Sequence, residues 1–243
     1  MAGFFHKLGK LAGPRVRKGK WVWQSLTGSQ ADVLKAEHAV GRDMAAEVRR
    51  QLPPDDDPET AALIGEIGDR LARCVAEKRR TFQFELVRGG EPNAFALPGG
   101  FVFVTRALVD LCERRPDELA FVLGHEMAHV IRGHALDRML SSSATVLAAR
   151  AVPAGGVGAW VKQVGLRYLE GAYSRDRELG ADELGVRLAD AAGYDRRGAV
   201  RLLERLGELH ARGAEGALRL GRYFASHPPT DDRIRQVHDA PPV

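Results

Sequence analysis

The stretch His125-Glu126-Met127-Ala128-His129 constrains the fold more than any other part of this chain. Residues four apart on an α-helix share a face, so both imidazoles can reach one ion. Glu126 is turned aside by about 100°, toward a water held by that ion rather than toward the ion itself. The pattern has this meaning only on a helix, and the flanking sequence supplies one. Pro116 suits a first turn, and Asp117 and Glu118 suit the positive end of the helix dipole. Leu119 to Leu123, Met127, Ala128, Val130 and Ile131 then make the helix apolar nearly all round, which marks it as buried. Buried polar side chains need partners. Two core histidines bonded to backbone carbonyls are one solution; an ion shared with further ligands is the other. The helix is expected to continue through Arg132 and Arg138 to about Leu140, which would turn His134 to the face opposite His125.

The remaining patterns predict a mostly helical α+β protein. Ser29 and Asp32 form a capping-box pattern that opens a helix to about Leu52, with Val33, Ala36, Val40, Met44 and Val48 on one stripe. Pro53 to Asp57 is a loop, and Pro58 starts a second helix through Leu63, Ile67 and Leu71. The period then changes to two. Phe82-Leu86, Asn93-Leu97 and Phe101-Val104 read as three strands, with Pro98-Gly99-Gly100 as a turn. A helix over 105–114 leads to the metal helix. A sheet in that position can offer an edge to an extended peptide near Asn93-Leu97.

Further helices are expected over 166–191, with Gly193 at its end, over 197–212, near 218–224 and after Thr230. The apolar stretch 144–166 is broken by Arg150, Pro153, Gly155, Gly156, Gly158 and Lys162, and reads as packed or mobile helices rather than a membrane hairpin. The expected organisation is a basic arm over 1–28 and one domain over 29–243, comprising a helical extension over 29–57 and a core over about 58–238.

Charge is uneven along the chain. Residues 1–52 carry 10 Lys/Arg against 4 Asp/Glu, and the remainder carries 26 against 28. A near-neutral body argues against nucleic acid as a partner. The arm sets Trp21 and Trp23 behind Arg15, Arg17, Lys18 and Lys20; it is expected to pack both Trp onto the body and leave its charges in water, with weak contact at a membrane surface as the alternative. Cys74 and Cys112 have no paired spacing, which suits a reducing, cytoplasmic compartment.

A catalytic zinc takes three protein ligands and leaves one position for water. With His125 and His129 as two, Glu178 is the candidate for the third. Asp182, one turn further on, is placed to accept the free ring N–H of a ligand histidine and fix its tautomer. His125-Glu126-x-x-His129 with Glu178-x-x-x-Asp182 resembles the gluzincin arrangement. Asn93 to Gly100, Asp117 to Ala120, Ser174-Arg175, Glu178-x-x-Ala181-Asp182 and Ser226 to Pro229 together resemble the M48 family of metallopeptidases, over about residues 61–237. Phe101 stands where relatives often carry His or Tyr, and the membrane spans of some relatives have no counterpart.

The resemblance implies a zincin-like fold and a zinc-dependent endopeptidase with one Zn2+ per chain, in protein turnover or quality control. Glu126 would be the general base on a metal-bound water. By the same analogy His227 is a candidate donor to the oxyanion, or a loop ligand that keeps the enzyme latent; capping the next helix is its plain structural alternative. Two non-catalytic readings stand beside this one: a zinc-stabilised chaperone or adaptor on the same scaffold, and a membrane-surface binding protein led by the basic arm.

Overall fold

A computed structural model describes residues 29–141, 173–212, 227 and 231–239. The expectations for the arm over 1–28, the apolar stretch 144–166 and the helix near 218–224 lie outside these residues. Eight helices and three strands follow in chain order among the described residues: α1 (Gln30–Gln51), α2 (Pro58–Arg73), β1 (Gln83–Val87), β2 (Ala94–Leu97), β3 (Phe101–Thr105), α3 (Arg106–Leu111), α4 (Pro116–Ile131), α5 (His134–Ser141), α6 (Arg175–Ala191), α7 (Arg197–Ala211) and α8 (Asp231–Asp239). The predominantly helical α+β architecture with one small three-stranded sheet is therefore as expected.

Several boundaries follow from local chemistry. Ser29 caps α1 through the full reciprocal capping box with Asp32. Asp57 caps α2, accepting from the Thr60 amide at 3.0 Å, and Pro58 occupies the first turn. Thr105, expected inside a helix, is instead its N-cap. That helix stops at Leu111, short of the expected 114, because Glu113 and Arg114 adopt φ of 51° and 55°. The metal helix also stops early. Gly133 takes φ 73°, ends α4 after Arg132 and lets α5 start afresh at His134.

The sheet order is β1-β3-β2, with β1 parallel and β2 antiparallel to β3. Both faces are covered, so the period of two separates two apolar clusters rather than core from solvent. Ala94, Ala96, Val102 and Val104 face α2, α4 and the helices beyond. Phe95, Leu97, Phe101 and Phe103 meet Val40, Met44, Ala45 and Val48 of α1. The alanines of β2 let α4 lie close to this outer strand.

The most extensive contact between described elements is α4 against α6. Gly124 and Gly185 sit at the crossing. A Cβ added at Gly124 would lie 2.8 Å from the Gly185 carbonyl oxygen, and one added at Gly185 would lie 2.8 Å from the His125 amide nitrogen. The two backbones are in direct contact there. Gly185→Ala is expected to destabilise by about 1–3 kcal/mol, because backbone atoms cannot turn away as a side chain can. Gly65→Ala, in α2 with nothing within 4 Å of the new methyl, is expected to stabilise by about 0.4–1 kcal/mol. Urea midpoints of the two variants test the pair; shifts of the same sign would contradict it.

Candidate metal centre

The crossing of α4 and α6 brings four sequence-predicted residues together. His125 and His129 lie one turn apart on α4, with their Nε2 atoms 3.1 Å from each other. α6 presents Glu178 and Asp182 along its buried stripe, which continues through Gly185, Val186 and Ala189. Glu178 Oε1 is 3.4 Å from His129 Nε2, and Oε2 is 3.5 Å from His125 Nε2. Asp182 lies behind His125: His125 Nδ1 donates to Asp182 Oδ1 at 2.8 Å, which turns His125 Nε2 toward His129 and Glu178.

His227 is brought to the same point. Its Nδ1 lies 2.9 Å from Glu178 Oε1 and 3.2 Å from His125 Nε2, and its Nε2 lies 3.5 Å from Glu126 Oε1. His125, His129, Glu178 and His227 are all buried, with their donor atoms within 4.8 Å of one another.

These residues fit a metal ion. Donors held tetrahedrally at ~2.0–2.2 Å from an ion stand roughly 3.3–3.6 Å apart. The observed separations of 2.9–3.5 Å fall close to that spacing. Two imidazole lone pairs 3.1 Å apart repel unless a cation or a proton lies between them, and nitrogen and carboxylate donors are what zinc takes.

Electrostatics points the same way. Burial opposes ionisation of Glu178, but the surrounding His227 and His125 outweigh it and hold this carboxyl far below the usual range. Burial likewise disfavours the Asp182 carboxylate, yet Arg233 and His125 keep it ionised. Burial also resists protonation of His125, and Asp182 with Glu178 overcomes this to push it up to about 9. His129 moves the other way, well below its ordinary value, through burial and the neighbouring positive rings. The buried carboxylates make the site an anionic centre that favours a bound cation.

Two contributors carried no sequence signal, and a third residue was misplaced. Arg233 of α8 is 2% exposed. Its Nε and Nη2 donate to the two oxygens of Asp182 at 2.6 and 2.8 Å, and its Nη1 donates to the His227 carbonyl at 3.0 Å. Tyr173 stacks on the His129 ring with centroids 3.9 Å apart. The third is a correction. His134 does not point to the opposite face, because the break at Gly133 turns it back until its Nδ1 lies 3.0 Å from His129 Nδ1. Burial, with Arg177 and Arg132 nearby, pushes His134 down to about 4, so this ring is neutral. Its contact is with the outer nitrogen of His129, and it stands outside the group of four donors.

Residues 58–240 match the model of peptidase family M48. Among similar proteins, mitochondrial metalloendopeptidase OMA1 of Schizosaccharomyces pombe is 30% identical over 82% of this chain and 58% of its own length. Metalloprotease YcaL of Escherichia coli is 31% identical over 76% of this chain and 74% of its own length. The beta-barrel assembly-enhancing protease of Escherichia coli is 27% identical over 70% of this chain, which spans only 37% of that protein.

The two acids on α6 hold different positions, Glu178 beside both Nε2 atoms and Asp182 behind His125. Glu178→Ala is expected to strip most of the metal, whereas Asp182→Asn is expected to weaken it by about 10–100-fold. Competition against a chromophoric chelator measures both. Full occupancy in the Glu178 variant would require another third ligand.

Proposed function

The chain belongs to peptidase family M48, and on that premise we propose that it is a zinc-dependent endopeptidase acting on protein or peptide substrates. The observation that carries this reading is the convergence of His125 Nε2, His129 Nε2 and Glu178 at the separations one ion requires, with Glu126 on the same helix. His125, His129 and Glu178 are the proposed ligands, and Asp182 orients His125. When bound, zinc supplies Lewis acidity that lowers the pKa of a water to ~7 and polarises the scissile carbonyl.

The chain's own residues supply the rest. β2 is an outer strand of the sheet and packs beside α4. An extended substrate adding to its outer edge would be held by main-chain hydrogen bonds beside the metal helix. Glu126, 2% exposed, accepts a proton from the attacking water and returns it to the departing amine.

His227 supports a second state of the same enzyme. As a fourth donor 2.9 Å from Glu178 and 3.2 Å from His125, it fills the position that a catalytic water needs. In that arrangement the site is latent, and turnover needs His227 to withdraw. The alternative part for His227 is donation to the developing oxyanion. A purely structural zinc site, as in a chaperone or adaptor, has no use for a carboxylate beside the donors, so Glu126 favours the peptidase. Two free cysteines, with Cys112 buried, fit a reducing cytoplasmic setting. Among the described residues no helix is long and apolar enough to cross a membrane.

Glu126→Gln is expected to keep one zinc per chain and lower peptide cleavage by about 10²–10⁴-fold. Metal analysis beside a quenched-peptide assay decides it; wild-type turnover would remove Glu126 from its role. His227→Ala is expected to raise the initial rate by relieving latency. A fall of about 10²–10³-fold in kcat would instead make the oxyanion contact its dominant part.

A further inference from the structure

A cavity of about 620 Å³ lies between α1, the loop before β1, the turn after β2 and the metal helix. Its floor is apolar, with Leu34 of α1 on one side and Val130 of α4 on another. Its rim is cationic: Lys35, Arg42, Arg79 and Arg80 line it against a single carboxylate, Glu37. That carboxylate is buried and already held by Arg80 at 3.0 Å. Arg79 shares its charge with Glu77 at 2.7 Å. Lys35 and Arg42, seven residues apart on α1, lie exposed on the face of that helix that lines the cavity. Arg42 has only a 3.9 Å approach to its neighbour Asp43.

The position of this cavity relative to the centre is fixed by two residues. Val130 directly follows His129 in α4, and Gly99 lies in the turn that ends the outer strand β2. α1 lies against that turn, so closely that a Cβ on Gly99 would be 2.4 Å from the His38 Cα. His38, also on the cavity wall, stacks on the buried ring of Phe101 with centroids 5.1 Å apart. A chain lying on the outer edge of β2 and running past Leu97 therefore meets the cavity next. α1 precedes residues 58–240, the part matched by the family model, so this wall comes from outside the matched region.

We propose that the cavity is a substrate subsite for acidic residues, held by Lys35 and Arg42, on the stretch of polypeptide that runs beyond the Leu97 end of β2. This rests on the peptidase reading above. An apolar floor with a cationic rim takes an Asp or Glu together with an apolar neighbour, and rejects basic segments by like-charge repulsion. Because an edge-bound strand has a fixed register against β2, the acidic preference falls at one set distance from the cut.

The test uses peptides of one sequence in which an acidic, neutral or basic pair is stepped away from the scissile bond. The full-length zinc-loaded enzyme is expected to prefer the acidic pair at one position, by about three- to tenfold in kcat/KM over the neutral pair. Lys35→Glu with Arg42→Glu is expected to invert that order in favour of the basic pair. Lys35→Gln with Arg42→Gln should flatten it. No positional preference in the wild type, or a preference that survives charge reversal, would overturn the proposal. Should neither the wild type nor the His227→Ala protein cleave any peptide, the peptidase reading fails, and the subsite is judged by fluorescence anisotropy of the labelled acidic peptide on the Glu126→Gln protein. Binding weakened by the charge reversal supports the subsite, and absent or unaltered binding overturns it.

Discussion

The contact on which the rest of this molecule depends is the backbone-to-backbone crossing of α4 and α6 at Gly124 and Gly185. Helices usually pack at 8–10 Å, a distance set by their interfacial side chains. With no side chain at either position the axes approach more closely. Only then can the short carboxylate of Asp182, one turn before Gly185, reach His125 Nδ1, which follows Gly124 in sequence. Glu178, a further turn back, arrives beside the two Nε2 atoms by the same geometry. The two glycines contribute no chemistry. They set the distance at which the chemistry becomes available.

A second constraint holds that crossing in register. Asp182 accepts from His125 and from both prongs of Arg233, so one buried carboxylate links α4, α6 and α8. The same guanidinium fixes the backbone at His227 through its carbonyl. Buried ion pairs give little net stability because desolvation offsets their attraction. Their value here is directional: the forked contact specifies where Asp182 points, and hence which nitrogen of His125 is left for a metal. Burial of Glu178, Asp182 and Glu126 at 0–2% exposure would be unfavourable without such compensation.

The residues of the candidate centre were legible in the sequence because they lie at helical spacing. His125 and His129, and Glu178 and Asp182, are each four apart, and each pair shares a face once the segment is known to be a helix. The strands were legible as alternation, although that pattern could not tell that α1 covers the second face. What was not legible depends on contacts between segments far apart in the chain. Arg233 looks like any arginine on an amphipathic helix until α8 is docked. Gly124 and Gly185 look like ordinary weak points of helices until the helices cross. His134 was misplaced because the apolar period continues past Gly133, while the φ of 73° there resets the phase of the next helix.

That reset has a consequence for the centre. An uninterrupted α4 would carry position 134 round to a side from which it could not approach His129. With the break, His134 touches the outer nitrogen of His129 while Tyr173 covers one face of the same ring. The two imidazoles of the candidate centre are thus oriented by different means: His125 by a buried charge pair, His129 by a neutral ring and a stacked one. A carboxylate partner strengthens the donor character of an imidazole, and a neutral partner does so less. The asymmetry also limits how much negative charge is buried in one place, since a second carboxylate behind His129 would add to Glu178, Asp182 and Glu126. Protons and a divalent cation compete for the same lone pairs. The arrangement favours the cation, because it alone supplies two charges to a site where Arg233 supplies one.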